Sequence, residues 1–353
     1  ASSAYYNPAG LTLLDKEEIV VGAIMLGNHL HFNGGGEAYS PGLNNGATPT
    51  TGEGDFDYRS HDVVPNFYYS LPLKNHGAIG VAFNVPTAST TELPETTSVR
   101  YQNIYSSLVG MRLTLSLAEP VTDKLSLALG VALQQMNLEN RTAVDSYAQC
   151  EVNGLPALGL THCGVPSDIQ RDGRSELKVD ELAWGYTWGA LYRFNDATRV
   201  GVAYHSRIEH HLEGDLNLSL YLQSTSPDFT EFDTKARLTM NSPESMSFSV
   251  FHALTPRLNV QADATWTGWS IFNVLDVQTD LGINQRQPQH WQDTWRYAVG
   301  GDFAMTPAWT LRAGIDTDPS PIPHAYRSLS FPMNDFVAAS VGTSYAFSPA
   351  LTL

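Results

Sequence analysis

The sequence predicts an all-β fold, a transmembrane antiparallel β-barrel, on three observations. Apolar and polar residues alternate singly over segment after segment, the period of a strand whose two faces meet different surroundings. Connections between these segments are alternately short and long, the layout of a barrel with tight turns at one end and extended loops at the other. No run of about 18 apolar residues offers a membrane helix, whereas a membrane strand needs only about ten alternating residues. With 353 residues, 42% hydrophobic and 16% charged, the chain suits one large barrel or two ordinary domains, so distribution decides where length does not.

The alternation is explicit. Leu125, Leu127, Leu129, Val131 and Leu133 face one way, while Ser126, Ala128, Gly130, Ala132 and Gln134 face the other. Met111, Leu113, Leu115 and Leu117 alternate with Arg112, Thr114 and Ser116, and Leu258, Val260 and Ala262 with Asn259, Gln261 and Asp263. Short turns fall at Lys74-Asn75-His76, 119–123, Asn195-Asp196-Ala197, Thr255-Pro256, Thr306-Pro307 and Ser348-Pro349. Long polar stretches lie between them at 34–58, 89–103, 141–176, 212–234, 273–290 and 317–334. The reading gives about twelve complete strands, with Ala350 to Leu353 starting another. An unpaired barrel edge in lipid costs several kcal/mol per bare group, so further strands are expected beyond this stretch. A soluble β-sandwich also alternates, but it has no reason to keep its long loops at one end.

A formal net charge of -16 leaves no Lys/Arg stripe for phosphates, which argues against a nucleic-acid partner and suits a cell-surface protein. Cys150 and Cys163 lie close together in a Gly-, Pro- and polar-rich stretch and read as one disulfide in an oxidising compartment, with a reduced zinc pair as the rival. The chain opens on Ala1, so a targeting segment is expected to have been removed. No metal site is expected. His210 and His211 point to opposite faces of a strand, and His29, His31 and His61 read as rim residues. No cofactor is expected either. No Gly-x-Ser-x-Gly elbow supports an enzyme, and the arginines are too sparse for a porin's basic ladder.

Several strings in order resemble the FadL family of outer-membrane transporters. Tyr6-Asn-Pro-Ala-Gly-Leu11 resembles the element by which that family's N-terminal hatch enters its first strand. Trp184-Gly-Tyr-Thr-Trp-Gly-Ala-Leu-Tyr192, Tyr204-His-Ser-Arg207 and Thr265-Trp-Thr-Gly-Trp-Ser270 resemble its middle strands. Trp291-Gln-Asp-Thr-Trp-Arg296, Leu311-Arg-Ala-Gly-Ile-Asp316 and Ser320-Pro-Ile-Pro323 with Arg327, Pro332 and Asp335, then Val341 to Phe347, resemble its C-terminal part. The resemblance implies a barrel of fourteen strands plugged by a hatch. Residues 1–16 would be the C-terminal remnant of a mostly missing hatch, with Asn7, Pro8 and Ala9 where it enters the first strand, and 17–353 the barrel through strand twelve and the start of thirteen.

It also implies a function, the passive uptake of hydrophobic compounds, foremost long-chain fatty acids, by a monomer in contact with outer-membrane lipid. Ligand would enter an apolar groove from outside and leave sideways where the third strand kinks. That kink maps to Asn84-Val85-Pro86, and proline supplies no ladder hydrogen bond, so the residues point to the same break unless Pro86 merely ends the strand near its loop. Leu138-Glu-Asn-Arg141 resembles the segment carrying a substrate-binding arginine, although Arg141 also reads as a loop-base residue paired with an acid. A second family cation, a lysine, falls near Gln287, with Arg286 one residue before it, which leaves room for a neutral ligand such as an aromatic hydrocarbon. Arg112, Arg296, Arg312, Asp263, Asp302 and Asp316 lie on polar faces and are expected to form lumenal ion pairs. A plugged barrel of this kind gives no large, steady ohmic steps in planar bilayers; steps of porin size would contradict the plugged reading.

Overall fold

The computed structural model describes residues 1–353 apart from 39–47, 75, 148–166, 222–228 and 283. Among the described residues twelve long strands pair antiparallel, each with the next in chain order. They are β1 (Glu18–Asn33), β2 (Asp55–Pro72), β3 (Ala78–Glu92), β4 (Tyr105–Pro120), β5 (Leu125–Val144) and β6 (Gly173–Arg193). Next come β7 (Thr198–His205, continued by Ile208–Tyr221) and β8 (Phe229–Ser242, continued by Ser245–Thr255). β9 (Leu258–Thr267), β10 (Thr294–Ala304), β11 (Trp309–Asp318) and β12 (Phe336–Ser348) follow, and β13 (Leu351–Thr352) begins where the alternation predicts a new strand. The predicted all-β architecture and strand order are those of the structure.

The strands change character along their length. On β5 the lower outward residues Leu129, Val131 and Leu133 are exposed and apolar, while Ala128, Ala132 and Gln134 are buried inside. Higher up, Met136 and Leu138 are the buried residues, and Gln135, Asn137 and Glu139 take the outer face. β6 inverts in the same way, from exposed Leu182, Trp184 and Tyr186 to outward Lys178 and Asp180 over buried Leu177 and Val179. The two inversions coincide, since Leu133 pairs with Trp184 and Gln135 with Leu182. An outer face that turns from apolar to polar marks the upper limit of the hydrocarbon; above it the barrel stands in water with an apolar interior.

That inversion explains where the loops predicted from sequence are too long. The stretch 212–234 reads as loop, yet β7 runs to Tyr221 and β8 starts at Phe229. Leu212, Leu216 and Leu220 face inward there, and Glu213, Asp215 and Asn217 face water. A strand whose outer residues meet water has the polar composition of a loop. β5 and β6 likewise reach Val144 and Gly173, inside the stretch read as 141–176. Cys150 and Cys163 lie outside the described residues.

Beneath the water-exposed end, the first residues form a plug. α1 (Ser3–Tyr6) and a 3-10 turn (Pro8–Leu13) pack Ala4, Ala9 and Leu11 against inward-facing Tyr68, Ala78, Ala82, Ala118, Ala128 and Leu191 of β2 to β6. Small wall residues make the room: a Cβ on Gly189 would fall 2.3 Å from the Asn7 Oδ1, and one on Gly201 2.8 Å from its Nδ2. Asn7 donates from Nδ2 to the carbonyls of Ala190 and Val202, at 3.2 and 3.3 Å, and accepts from the Ala9 amide at 3.1 Å. One side chain thus caps the turn and ties it to β6 and β7. Asn7→Ala removes all three bonds at about 1 kcal/mol each; it is expected to lower the temperature at which the folded protein loses its fast mobility on unheated SDS gels, and an unchanged temperature would contradict that anchoring.

Candidate functional site

Above the plug, the inward apolar residues of the water-exposed half enclose a cavity of about 490 Å³. Its walls are Leu138 of β5, Leu177 of β6, Leu216 of β7 and Met240 of β8, closed by the hairpin of Val274–Thr279 and Gln285–Pro288 and by residues 325–331. These residues belong to the largest apolar core, where Trp291 packs on Phe272 at 4.6 Å, Trp269 at 5.3 Å and Phe331 at 5.7 Å between ring centres. The polar lining consists of neutral amides and hydroxyls and a single charged residue, Arg327. Arg327 donates through Nη1 to Asn334 Oδ1 at 2.5 Å, and its Nε is buried without a partner. An apolar slot with one unsatisfied cation at its wall suits a long apolar molecule with an acidic end.

A second space, of about 520 Å³, runs through the wall. β2 and β3 pair only from Pro72–Ala78 up to Phe67–Phe83, although β2 continues on β1 to Asp55 and β3 on β4 to Glu92. Val85 and Pro86 together oppose Met111, a bulge that turns β3 away from β2 and switches which of its residues face inward. The gap is lined by inward-facing Leu26 and Leu30 of β1 and also by outward-facing Val109 and Met111 of β4, so it joins the inside to the outside. Tyr58 reaches across it to the Thr90 carbonyl at 3.4 Å, and a bridge between Glu53 and Thr97 closes it above. Asn84, on the last regular rung below the bulge, donates to the Tyr68 hydroxyl at 2.7 Å. Pro332, Met333 and Asn334 also line this gap, so one short segment borders the cavity with residues 325–331 and the wall opening with 332–334.

Two of the cations expected at a ligand lie elsewhere. Arg141 shares the outer face with its ladder partners Tyr105 and Glu176; its guanidinium sits 4.4 Å over the Tyr105 ring and 3.9 Å from Glu139. Strand parity could have shown this, because Leu138 and Asn140 line the cavity and Arg141 must then point away. Arg286 is exposed between Gln285 and Gln287, both of which line the cavity. Of the residues expected in lumenal ion pairs, Arg296 and Asp316 meet at 2.8 Å, whereas Asp302 accepts from the Asn259 amide at 2.8 Å and Arg112 donates to the Gln134 amide oxygen at 2.8 Å. His29 and His31 both bond Asp57 at the outer rim, at 2.7 and 3.3 Å. Over the top, Arg100 joins Asp172 at 2.6 Å and Ser167 at 2.9 Å, binding neighbouring loops into a cap.

The sequence family described as outer membrane protein transport protein (OMPP1/FadL/TodX) matches residues 1–353. The chain belongs to the FadL/TodX family. Outer membrane protein P1 of Haemophilus influenzae is 28% identical over 376 residues, covering 100% of this chain and 78% of that protein. The long-chain fatty acid transport protein of Escherichia coli (strain K12) is 25% identical over 363 residues, covering 98% of this chain and 79% of its own. A Pseudomonas aeruginosa FadL homologue of known structure superposes with a TM-score of 0.82 at 25% identity, over 99% of this chain and 83% of that one. The Pseudomonas putida toluene transporter TodX shares the fold, with a TM-score of 0.69 at 20% identity over 98% of this chain and 84% of that one. As a FadL/TodX protein the chain resides in the outer membrane, and its activity is of the family's kind, transport of hydrophobic compounds.

Proposed function

We propose that the cargo is a long-chain fatty acid, held first in the upper cavity with its carboxylate on Arg327 and released sideways through the opening between β2 and β3. The observation that carries this reading is the segment 325–334, which borders both spaces and is pinned by the Arg327–Asn334 hydrogen bond. A carboxylate on Arg327 competes with the Asn334 oxygen, and a charged acceptor wins over a neutral amide. Capture and loosening of the partition then follow from one exchange of acceptors. The bulge at Asn84-Val85-Pro86 keeps β3 off β2, and the plug around Asn7-Pro8-Ala9 leaves the sideways route as the way out.

Residues 1–16 thus act as the plug and 17–353 as the wall. A neutral aromatic hydrocarbon is the second reading, favoured by the aromatic cluster around Trp291 that backs the cavity. Uptake of radiolabelled oleate and toluene by cells lacking their own transporter separates the two. Loss of a charge-assisted hydrogen bond costs about 1.5–3 kcal/mol, so Arg327→Met is expected to lower oleate uptake about tenfold or more at limiting oleate, with toluene uptake unchanged. Wild-type uptake of toluene without oleate would move the cargo to neutral hydrocarbons.

A further inference from the structure

The interior holds a second cation that no acid answers. Arg112 is on the inward face of β4 and only 6% exposed. Its ladder partners are Asn84 of β3 and Gln134 of β5. Nε donates to Gln134 Oε1 at 2.8 Å, and Gln134 in turn donates to Ser242 Oγ of β8 at 2.6 Å, so this layer crosses the bore. Around the guanidinium lie Tyr5 of the plug, its ring tilted against that of His205 at 5.1 Å, and His210, all within its electrostatic reach. His210 is 0% exposed and neither ring nitrogen has a hydrogen bond, its Nδ1 lying 3.9 Å from a Glu181 oxygen; the Oδ1 of Asn84 is likewise buried and unbonded. None of the described residues around Arg112 itself is an acid, and Glu181, which approaches His210, forms no ion pair with Arg112.

A guanidinium taken out of water without a counter-charge is costly, and where this chain buries an arginine for structure it supplies the acid. Arg100, 1% exposed, has Asp172 at 2.6 Å. Arg112 has one neutral amide and no carboxylate among the described residues. We propose that Arg112 is an inner binding site for the carboxylate of a long-chain acid, separate from the Arg327 cavity and serving the exit. Its place supports that role. The Arg112–Asn84 rung is the last before the Val85-Pro86 bulge, so a head group held there sits at the foot of the wall opening with its tail free to enter it. The layer also divides the upper apolar core from the core of the plug, which gives an acid a polar station between two apolar regions.

The proposal rests on the fatty-acid reading, and its test keeps the two apart. Oleate and oleyl alcohol, equal in length and differing in charge, are compared for uptake in cells expressing full-length wild type, Arg112→Met or Arg112→Lys. The unfolding temperature of each purified protein is measured by gel mobility, with Arg100→Met as the reference for a structural arginine. We expect Arg112→Met to lower oleate uptake about tenfold while sparing oleyl alcohol, and Arg112→Lys to keep most of it. Replacing an unpaired buried charge by an apolar side chain is expected to raise the unfolding temperature, where Arg100→Met lowers it. Oleate uptake at the wild-type rate in Arg112→Met, or a fall in its unfolding temperature like that of Arg100→Met, would overturn the inner site and leave the fatty-acid reading standing. Wild-type protein that carries the alcohol and not the acid would overturn both.

Discussion

Backbone pairing in hydrocarbon is the constraint on which everything else in this protein depends. Lipid offers no donor or acceptor, so each N–H and C=O within the membrane must find its partner in the chain. From β1 to β12 each strand pairs with the next almost without interruption, and for that reason the interruptions carry meaning. Between β6 and β7 the pairing lapses from Thr187–His205 to Asp180–Glu213, and side chains fill in. Ser206 Oγ accepts the Tyr186 amide at 2.9 Å, and a Glu181 oxygen accepts the amide of His211. Ile208 packs against Gly185 there, in space that a Cβ would occupy, and a space of about 440 Å³ is left between Glu181–Tyr186 and Ser206–Glu209. The break between β2 and β3 has no such filling over most of its length, and a space of about 520 Å³ remains.

The same demand shapes the interior. Below the membrane limit the inner residues are small or polar, and the plug occupies the room they leave through Asn7, Ala4 and Leu11. Above it the inner residues are Leu138, Leu177, Leu216 and Met240, because the barrel there stands in water and buries its apolar side inward. On the proposed route a greasy cargo would meet an apolar cavity at the outer end, the plug beneath it, and the opening between β2 and β3 in the wall.

The sequence made much of this legible. Period-two alternation identified the strands, including β13, and the alternating loop lengths oriented them. Pro86 marked the bulge above which β3 parts from β2, since a missing N–H is a local property that needs no tertiary context. What stayed hidden depended on neighbours several strands away. The tops of β7 and β8 looked like loop because their outer residues Glu213, Asp215 and Asn217 meet water. The outward direction of Arg141, by contrast, was within reach of its own strand's parity once Leu138 is taken as inward. Arg327 becomes a site residue only when a loop after β11 folds back over the mouth of β5 to β8, and Arg112 stands out only when no acid arrives from across the barrel.

Whether cargo leaves through the wall is decided most directly by closing the opening. Cysteines placed at Pro65 on β2 and Val85 on β3, on opposite sides of the gap, are joined in whole cells by a short bifunctional maleimide, and oleate uptake is measured before and after linkage and in each single-cysteine control. The account predicts that linkage abolishes uptake while either single cysteine, treated in the same way, retains it. Undiminished uptake through a linked wall would contradict lateral release and send the cargo past the plug instead.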